Sequence, residues 1–229
     1  MTSTRNAARL AGTLHLVGTA AGVLSVVGSV DDPDYLRLAA ANETEVIVGA
    51  LSQSAMSLAY VGVPIALYAV LRRHSPTAAA GFLGFRIAAG LLNMLGVISL
   101  LLLLELSSRF IDANATVPAY FETVGGLLQR ARDLTNHVAM ILALSVGDAL
   151  YYWVLYRASL VPRWLSGWGF VGLALAVAAS LLVLSNLIAV VTNTYMVLNA
   201  ALALQQLVLA IWLIAKGFSD SDGTARSPW

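Results

Sequence analysis

Six apolar stretches, at residues 8–30, 44–71, 78–106, 132–156, 164–187 and 194–215, dominate this sequence. A helix needs about 20 residues to cross roughly 30 Å of hydrocarbon, and each stretch is that long. Strands do not fit, because the runs lack period-2 alternation and hold long leucine and alanine tracts. Only 11% of the 229 residues are charged and 59% are hydrophobic, against roughly 25% charged in soluble domains. A globule of this length has too little core to hide so much apolar surface. The expected fold is an all-α integral membrane bundle of six transmembrane helices, a single transmembrane domain over residues 1–229, with the lipid bilayer as its first partner.

The breaks between runs are polar and carry proline: Asp31-Asp32-Pro33-Asp34, Arg72-Arg73-His74-Ser75-Pro76 and Val161-Pro162-Arg163. Basic residues set the orientation. Arg5 and Arg9 precede the first run, Arg72 and Arg73 follow the second, Arg157 and Arg163 lie between the fourth and fifth, and Lys216 follows the sixth. The alternate connections are acidic or mixed, with Asp31, Asp32, Asp34 and Glu43, then Arg109, Asp112 and Glu122. This pattern predicts both termini in the cytoplasm. Tyr68, Tyr152, Trp153, Tyr156, Trp164 and Trp168 fall where a cytoplasmic aromatic belt belongs. The first run is too long for a signal-peptide core and lacks a small-x-small cleavage site, so it reads as a retained helix.

The connection from Ser107 to Arg130 has apolar residues at Val117, Tyr120, Phe121, Val124 and Leu128, a helical period. A short amphipathic helix is expected there, started by Pro118 and loosened by Gly125-Gly126 before the fourth span. It reads as a packed lid or as a gate over an external cavity. Asn42-Glu43-Thr44 and Asn114-Ala115-Thr116 match the glycosylation sequon in predicted external loops, a pattern short enough to arise by coincidence. Gly18-Thr19-Ala20-Ala21-Gly22 is a small-xxx-small motif that fits helix contact within the bundle as well as dimerisation. No internal repeat is legible.

Charges inside the apolar runs carry the most information, since one near a helix centre costs roughly 2.5–3.5 kcal/mol on insertion scales. Arg86 lies within the third run and Asp148 within the fourth. Consecutive antiparallel spans bring them to similar depth, so an ion pair is expected. His15 and Gln205 or Gln206 fall near the same level, and Asn93 extends the polar face two turns beyond Arg86. Such a layer either serves as a charge switch or only locks helix to helix.

A stripe of Asp133, His137, Ser145, Asp148 and Tyr152 follows one face of the fourth run at 100° per residue. Asp133 and His137 are i,i+4 neighbours, and Glu45 and Glu105 lie at similar depth on adjacent runs. These four are the candidate catalytic groups, able to relay a proton if they converge, or simply to reach the outer interface. No HExxH or paired ExxH spacing is present, so no metal is expected. Pro64 removes a backbone donor in the second run, frees a carbonyl near Tyr60 and is a candidate hinge, within a stretch already polar through Ser52, Gln53, Ser54 and Ser57.

Other chemistries lack their signatures. A net charge of +1 without a basic patch argues against a nucleic-acid partner. The absence of cysteine excludes disulfides, thiolate metal sites and a cysteine nucleophile. Phosphate-loop, dinucleotide, nucleophile-elbow and aspartate-rich prenyl-diphosphate motifs are all absent, and no cofactor is expected.

Three segments, Thr4-Arg5-Asn6-Ala7-Ala8-Arg9-Leu10-Ala11-Gly12, Asp133-Leu134-Thr135-Asn136-His137 and the stretch from Leu155 to Gly169, carry a likeness that extends over nearly the whole chain. The chain resembles the bacterial membrane family known as domain of unknown function 4386. The resemblance implies a six-helix protein of the bacterial inner membrane and draws attention to Asp133 and His137; it implies no activity. Three functions remain in view. One is binding or transport of a small solute, ion or proton through the polar interior. Another is an embedded enzyme acting on a lipid or isoprenoid. The last is a non-catalytic assembly or sensory partner.

Overall fold

The computed structural model describes residues 2–113, 118–190 and 192–219. These residues form helices and no strand. In chain order the helices are α1 (Thr2–Leu24), α2 (Gly28–Asp31), α3 (Tyr35–Ala41), α4 (Glu43–Leu71), α5 (Pro76–Asp112), α6 (Pro118–Asp133), a π-helical turn (Leu134–Ala139), α7 (Met140–Arg157), α8 (Arg163–Leu184) and α9 (Asn193–Ala215). Among the described residues six helical segments are long and apolar enough to cross a membrane. The second of the sequon matches, Asn114-Ala115-Thr116, and Val117 lie outside the described residues. Asn42 of the first is exposed at the α3–α4 junction.

Local chemistry sets the boundaries. Ser75 caps α5 by accepting from the Ala78 N–H at 3.3 Å, with Pro76 in the first turn. Thr192 caps α9 by accepting from the Tyr195 N–H. Helix α8 stops at Leu184, three residues before the expected end of its run. Asn186 adopts φ 56°, a left-handed conformation that Asn tolerates, and the Leu187 N–H closes onto Leu182 O at 2.9 Å. The first span also ends early, at Leu24, because residues 28–31 form the separate α2.

The long helices close into a ring: α1 packs on α4, α4 on α5, α5 on α7, α7 on α8, α8 on α9, and α9 back on α1. Small residues let the backbones approach. Gly18 faces Ala59, and a Cβ at Gly22 would stand 3.1 Å from Met56 Sδ, so the Gly18–Gly22 motif serves contact within the bundle. The larger apolar core, around Leu67, Phe82, Tyr151, Leu155, Leu165 and Leu209, fills the half nearest the termini. Large side chains in mid-helix point outward, with Leu58 74% and Leu91 64% exposed. Lipid-facing spans account for that surface, which water would disfavour.

The other half of the ring is called here the distal half, because it lies opposite the termini. There the helix begun at Pro118 is present as expected, but it runs through Gly125-Gly126 and the π turn into α7 without a break. The glycine pair does not loosen it; Tyr35 packs against Gly125 in the space a side chain would need. The Tyr35 hydroxyl donates to Glu122 O at 3.3 Å. Burial, with the Glu122 carboxylate as the smaller cause, raises this phenol above its ordinary range and keeps it a donor. Gln129 Nε2 donates to Val30 O at 2.6 Å, and Arg132 pairs with Asp31, so α6 is tied down over α2 and α3.

Candidate functional site

Two polar assemblies occupy the interior. In the first, Arg86 of α5 meets Asp148 of α7 in a bidentate pair, Nε to Oδ1 at 2.7 Å and Nη2 to Oδ2 at 2.9 Å. Arg86 is 1% and Asp148 0% exposed. The Tyr60 and Phe82 rings each lie 5.4 Å from the guanidinium carbon, covering it with π faces. Gln206 adds a long contact to Asp148 Oδ2 at 3.4 Å. The ion pair read from matched depth is thus in place.

Its expected neighbours divide. His15 is buried, and its Nε2 has no hydrogen-bond partner among the described residues. Gln205, one residue from Gln206 and so about 100° around the helix, takes no part in the pair. It accepts from the Tyr152 hydroxyl at 2.7 Å and donates to Leu165 O at 3.0 Å, joining α7, α8 and α9. Asn93 belongs to a separate knot between α4 and α5: Gln53 Nε2 donates to its Oδ1 at 2.9 Å, and its Nδ2 donates to Ser57 Oγ at 2.6 Å. Pro64 sits buried inside α4, which continues as one helix from Glu43 to Leu71.

The second assembly surrounds a cavity of about 370 Å³ in the distal half. Its wall includes residues of α1 and the turn after it (Gly22, Ser25), α4 (Gln53, Met56, Tyr60), α5 (Asn93, Leu100), the π turn and α7 (Asn136, His137, Met140, Ile141), and α9 (Tyr195, Met196). Arg132 and Asp31, the pair that ties α6 to α2, also line it. Tyr60 is common to both assemblies, since the same ring lines the cavity and covers Arg86.

The π turn aims the key side chains. Its widened hydrogen bond runs from the Met140 N–H to Thr135 O, and such insertions concentrate where a helix must redirect a residue. Ser180 of α8 donates to the His137 carbonyl at 2.7 Å, satisfying a backbone group near the insertion. His137 Nδ1 then meets the Tyr195 hydroxyl at 2.8 Å, with the rings edge to face at 5.4 Å. Asn136 is 8% exposed; its amide packs against Gly96 and its Oδ1 has no partner among the described residues.

The four candidate acid–base groups do not form one cluster. His137 alone of them lines the cavity. Asp133, half-buried, faces its neighbour Arg132 at 3.7 Å. Glu45 accepts from the Gly28 N–H at 2.9 Å, holding the start of α2. Glu105 is exposed and paired along its own helix with Arg109 at 2.7 Å. The i,i+4 relation of Asp133 and His137 fails because the π turn begins between them and changes the angular spacing on which the stripe depended. Among the described residues no three His, Asp or Glu side chains gather as a metal would require.

Sequence reading missed Asn136, Tyr195 and the Arg132–Asp31 pair as cavity residues. Tyr195 and Asn136 carry no formal charge and so do not stand out within apolar runs. The available signal was the Asp133–His137 segment, which already held Asn136.

A family model described as Domain of unknown function (DUF4386) matches residues 10–217 of the chain. No curated protein and no solved structure matches it.

Proposed function

Because the chain belongs to the family described as Domain of unknown function (DUF4386), whose description names no activity, we propose from the interior geometry that this multi-pass membrane protein binds a small uncharged amphipathic molecule in the distal cavity. The wall of that cavity carries the reading. Its formally charged residues, Arg132 and Asp31, are paired with each other, so an ionic ligand would arrive in a low-dielectric site without a counter-charge. His137 and Tyr195 offer hydrogen bonds to a polar head. Met56, Met140 and Met196 offer adaptable apolar packing to the remainder. The volume falls within the range of about 300–1,000 Å³ usual for small-molecule sites.

The distribution of arginines supports termini in the cytoplasm and a cavity facing the outer leaflet. We read the whole chain as one membrane domain, in the bacterial inner membrane by its family resemblance. A Cβ at Gly12 would stand 2.7 Å from Ala210 O, so α1 and α9 are in close contact toward the termini; both line the cavity distally. A ligand dissolved in the outer leaflet would enter between them.

Transport is the second reading, favoured by the shared role of Tyr60. A molecule leaving the cavity toward the cytoplasm must move the ring that covers Arg86, and Pro64, one turn further along α4, is placed to act as the hinge. The embedded-enzyme reading loses support, because three of its four acid–base groups lie outside the cavity wall.

The test is thermal unfolding of the purified chain in neutral detergent with uncharged medium-chain alcohols, ketones and terpenols beside their carboxylate counterparts. Uncharged compounds should raise the midpoint of the parent chain and leave Met140→Trp, with its cavity filled, unmoved. Stabilisation by carboxylates, or stabilisation that survives Met140→Trp, contradicts the proposal. For transport, flux of a stabilising compound into proteoliposomes should depend on Asp148.

A further inference from the structure

A second recess lies at the end of the bundle nearest the termini, away from the distal cavity. It has a volume of about 240 Å³ and is lined by His74 and Ser75 of the α4–α5 turn and by Trp153, Val154, Arg157 and Ala158 at the end of α7. The Arg157 guanidinium lies 5.8 Å from the Trp153 ring centroid, and Trp153 is 44% exposed. Arg72 and Arg73, both exposed, belong to the same turn as His74.

Among the described residues the charge around this recess is one-sided. Among the described residues the carboxylates are Asp31, Asp32, Asp34, Glu43, Glu45, Glu105, Asp112, Glu122, Asp133 and Asp148. All but Asp148 belong to the distal connections or the helix ends beside them, and Asp148 is spent on Arg86. Arg5, Arg9, Arg72, Arg73, Arg157, Arg163 and Lys216 share the opposite end. No ion pair involves Arg72, Arg73 or Arg157 among the described residues. A cleft with an arginine that makes no ion pair among the described residues, an imidazole, a hydroxyl and an amphipathic indole, with Arg72 and Arg73 on the adjoining turn, is suited to a phosphate group at the headgroup level.

We propose that the His74–Arg157 recess binds the phosphate of an anionic phospholipid headgroup, with Arg157 and His74 on the phosphate oxygens and Trp153 against the glycerol backbone. Guanidinium and phosphate match in shape as well as charge, and an indole belongs at the boundary between headgroup and acyl chain. Inorganic phosphate shares the anion but not the apolar anchor.

The test is native mass spectrometry of the full chain in neutral detergent, titrated with phosphatidylglycerol, phosphatidylcholine or inorganic phosphate. Phosphatidylglycerol should be retained in preference to phosphatidylcholine. The double variant His74→Gln/Arg157→Gln should weaken retention about tenfold or more, Arg157→Lys should keep part of it, and Arg9→Gln should leave it unchanged. Thermal midpoints taken alongside confirm that each variant is folded. Equal retention by the double variant, or an equal loss with Arg9→Gln, overturns the site in favour of diffuse attraction. Displacement of phosphatidylglycerol by millimolar inorganic phosphate overturns the lipid as occupant and assigns the recess to the free ion.

Discussion

Asn136 lays its amide directly on Gly96, in the space that a side chain on α5 would fill. The contact joins the π turn to the neighbouring helix and sets one wall of the distal cavity. Gly96→Ala should therefore push Asn136 aside, destabilise the chain by about 1–3 kcal/mol as overpacking does, and weaken ligand binding. Gly84→Ala is the control, since no atom lies within 4 Å of a Cβ there. Thermal unfolding of the two variants should separate them; equal midpoints would remove the role given to Gly96.

The Arg86–Asp148 pair is fully buried, so losing either partner strands a charge. Arg86→Ala and Asp148→Ala should each cost about 3–5 kcal/mol. The double variant should cost less than the sum, because neither charge is then left alone. Unfolding free energies in detergent over this cycle check the claim. Additive losses would mean that the two residues do not act as a pair.

His137 and Tyr195 make a hydrogen bond whose net contribution to stability is modest, about 0.5–1.5 kcal/mol. Tyr195→Phe keeps the ring and its edge-to-face contact while removing the hydroxyl. It should lower ligand affinity with little change in the ligand-free midpoint. A large fall in that midpoint with unchanged affinity would make the contact structural.

Glu105 is paired only with Arg109 on an exposed helix surface, where ion pairs contribute little. Glu105→Gln should alter neither ligand binding nor the unfolding midpoint. If it abolishes activity once a ligand is known, the acid–base cluster returns to consideration.

The spans were legible because hydropathy needs only composition along the chain, and Arg86 and Asp148 because charges at equal depth on adjacent helices have few other partners. The azimuth of each helix was not legible. Glu45 and Glu105 bond to the Gly28 N–H and to Arg109 and do not line the cavity, and Gln205 and Gln206 divide between two networks one residue apart. The π turn was hidden for a different reason. It is upheld by tertiary contacts, the Ser180 bond to His137 O and the fit of Asn136 on Gly96, which no local period encodes. Once it is inserted, the predicted stripe loses register between Asp133 and His137.

The central claim is that the distal cavity is open to small uncharged molecules. The cysteine-free chain makes this directly measurable. Met140 and Leu144 are buried one turn apart on α7, and Met140 lines the cavity whereas Leu144 packs against Ala89 and Met140 in the core. In membranes carrying Met140→Cys or Leu144→Cys, N-ethylmaleimide should modify position 140 rapidly and position 144 very slowly, and a stabilising amphipath should protect position 140. Equal rates at the two positions, or no reaction at position 140 in the folded protein, would contradict the account.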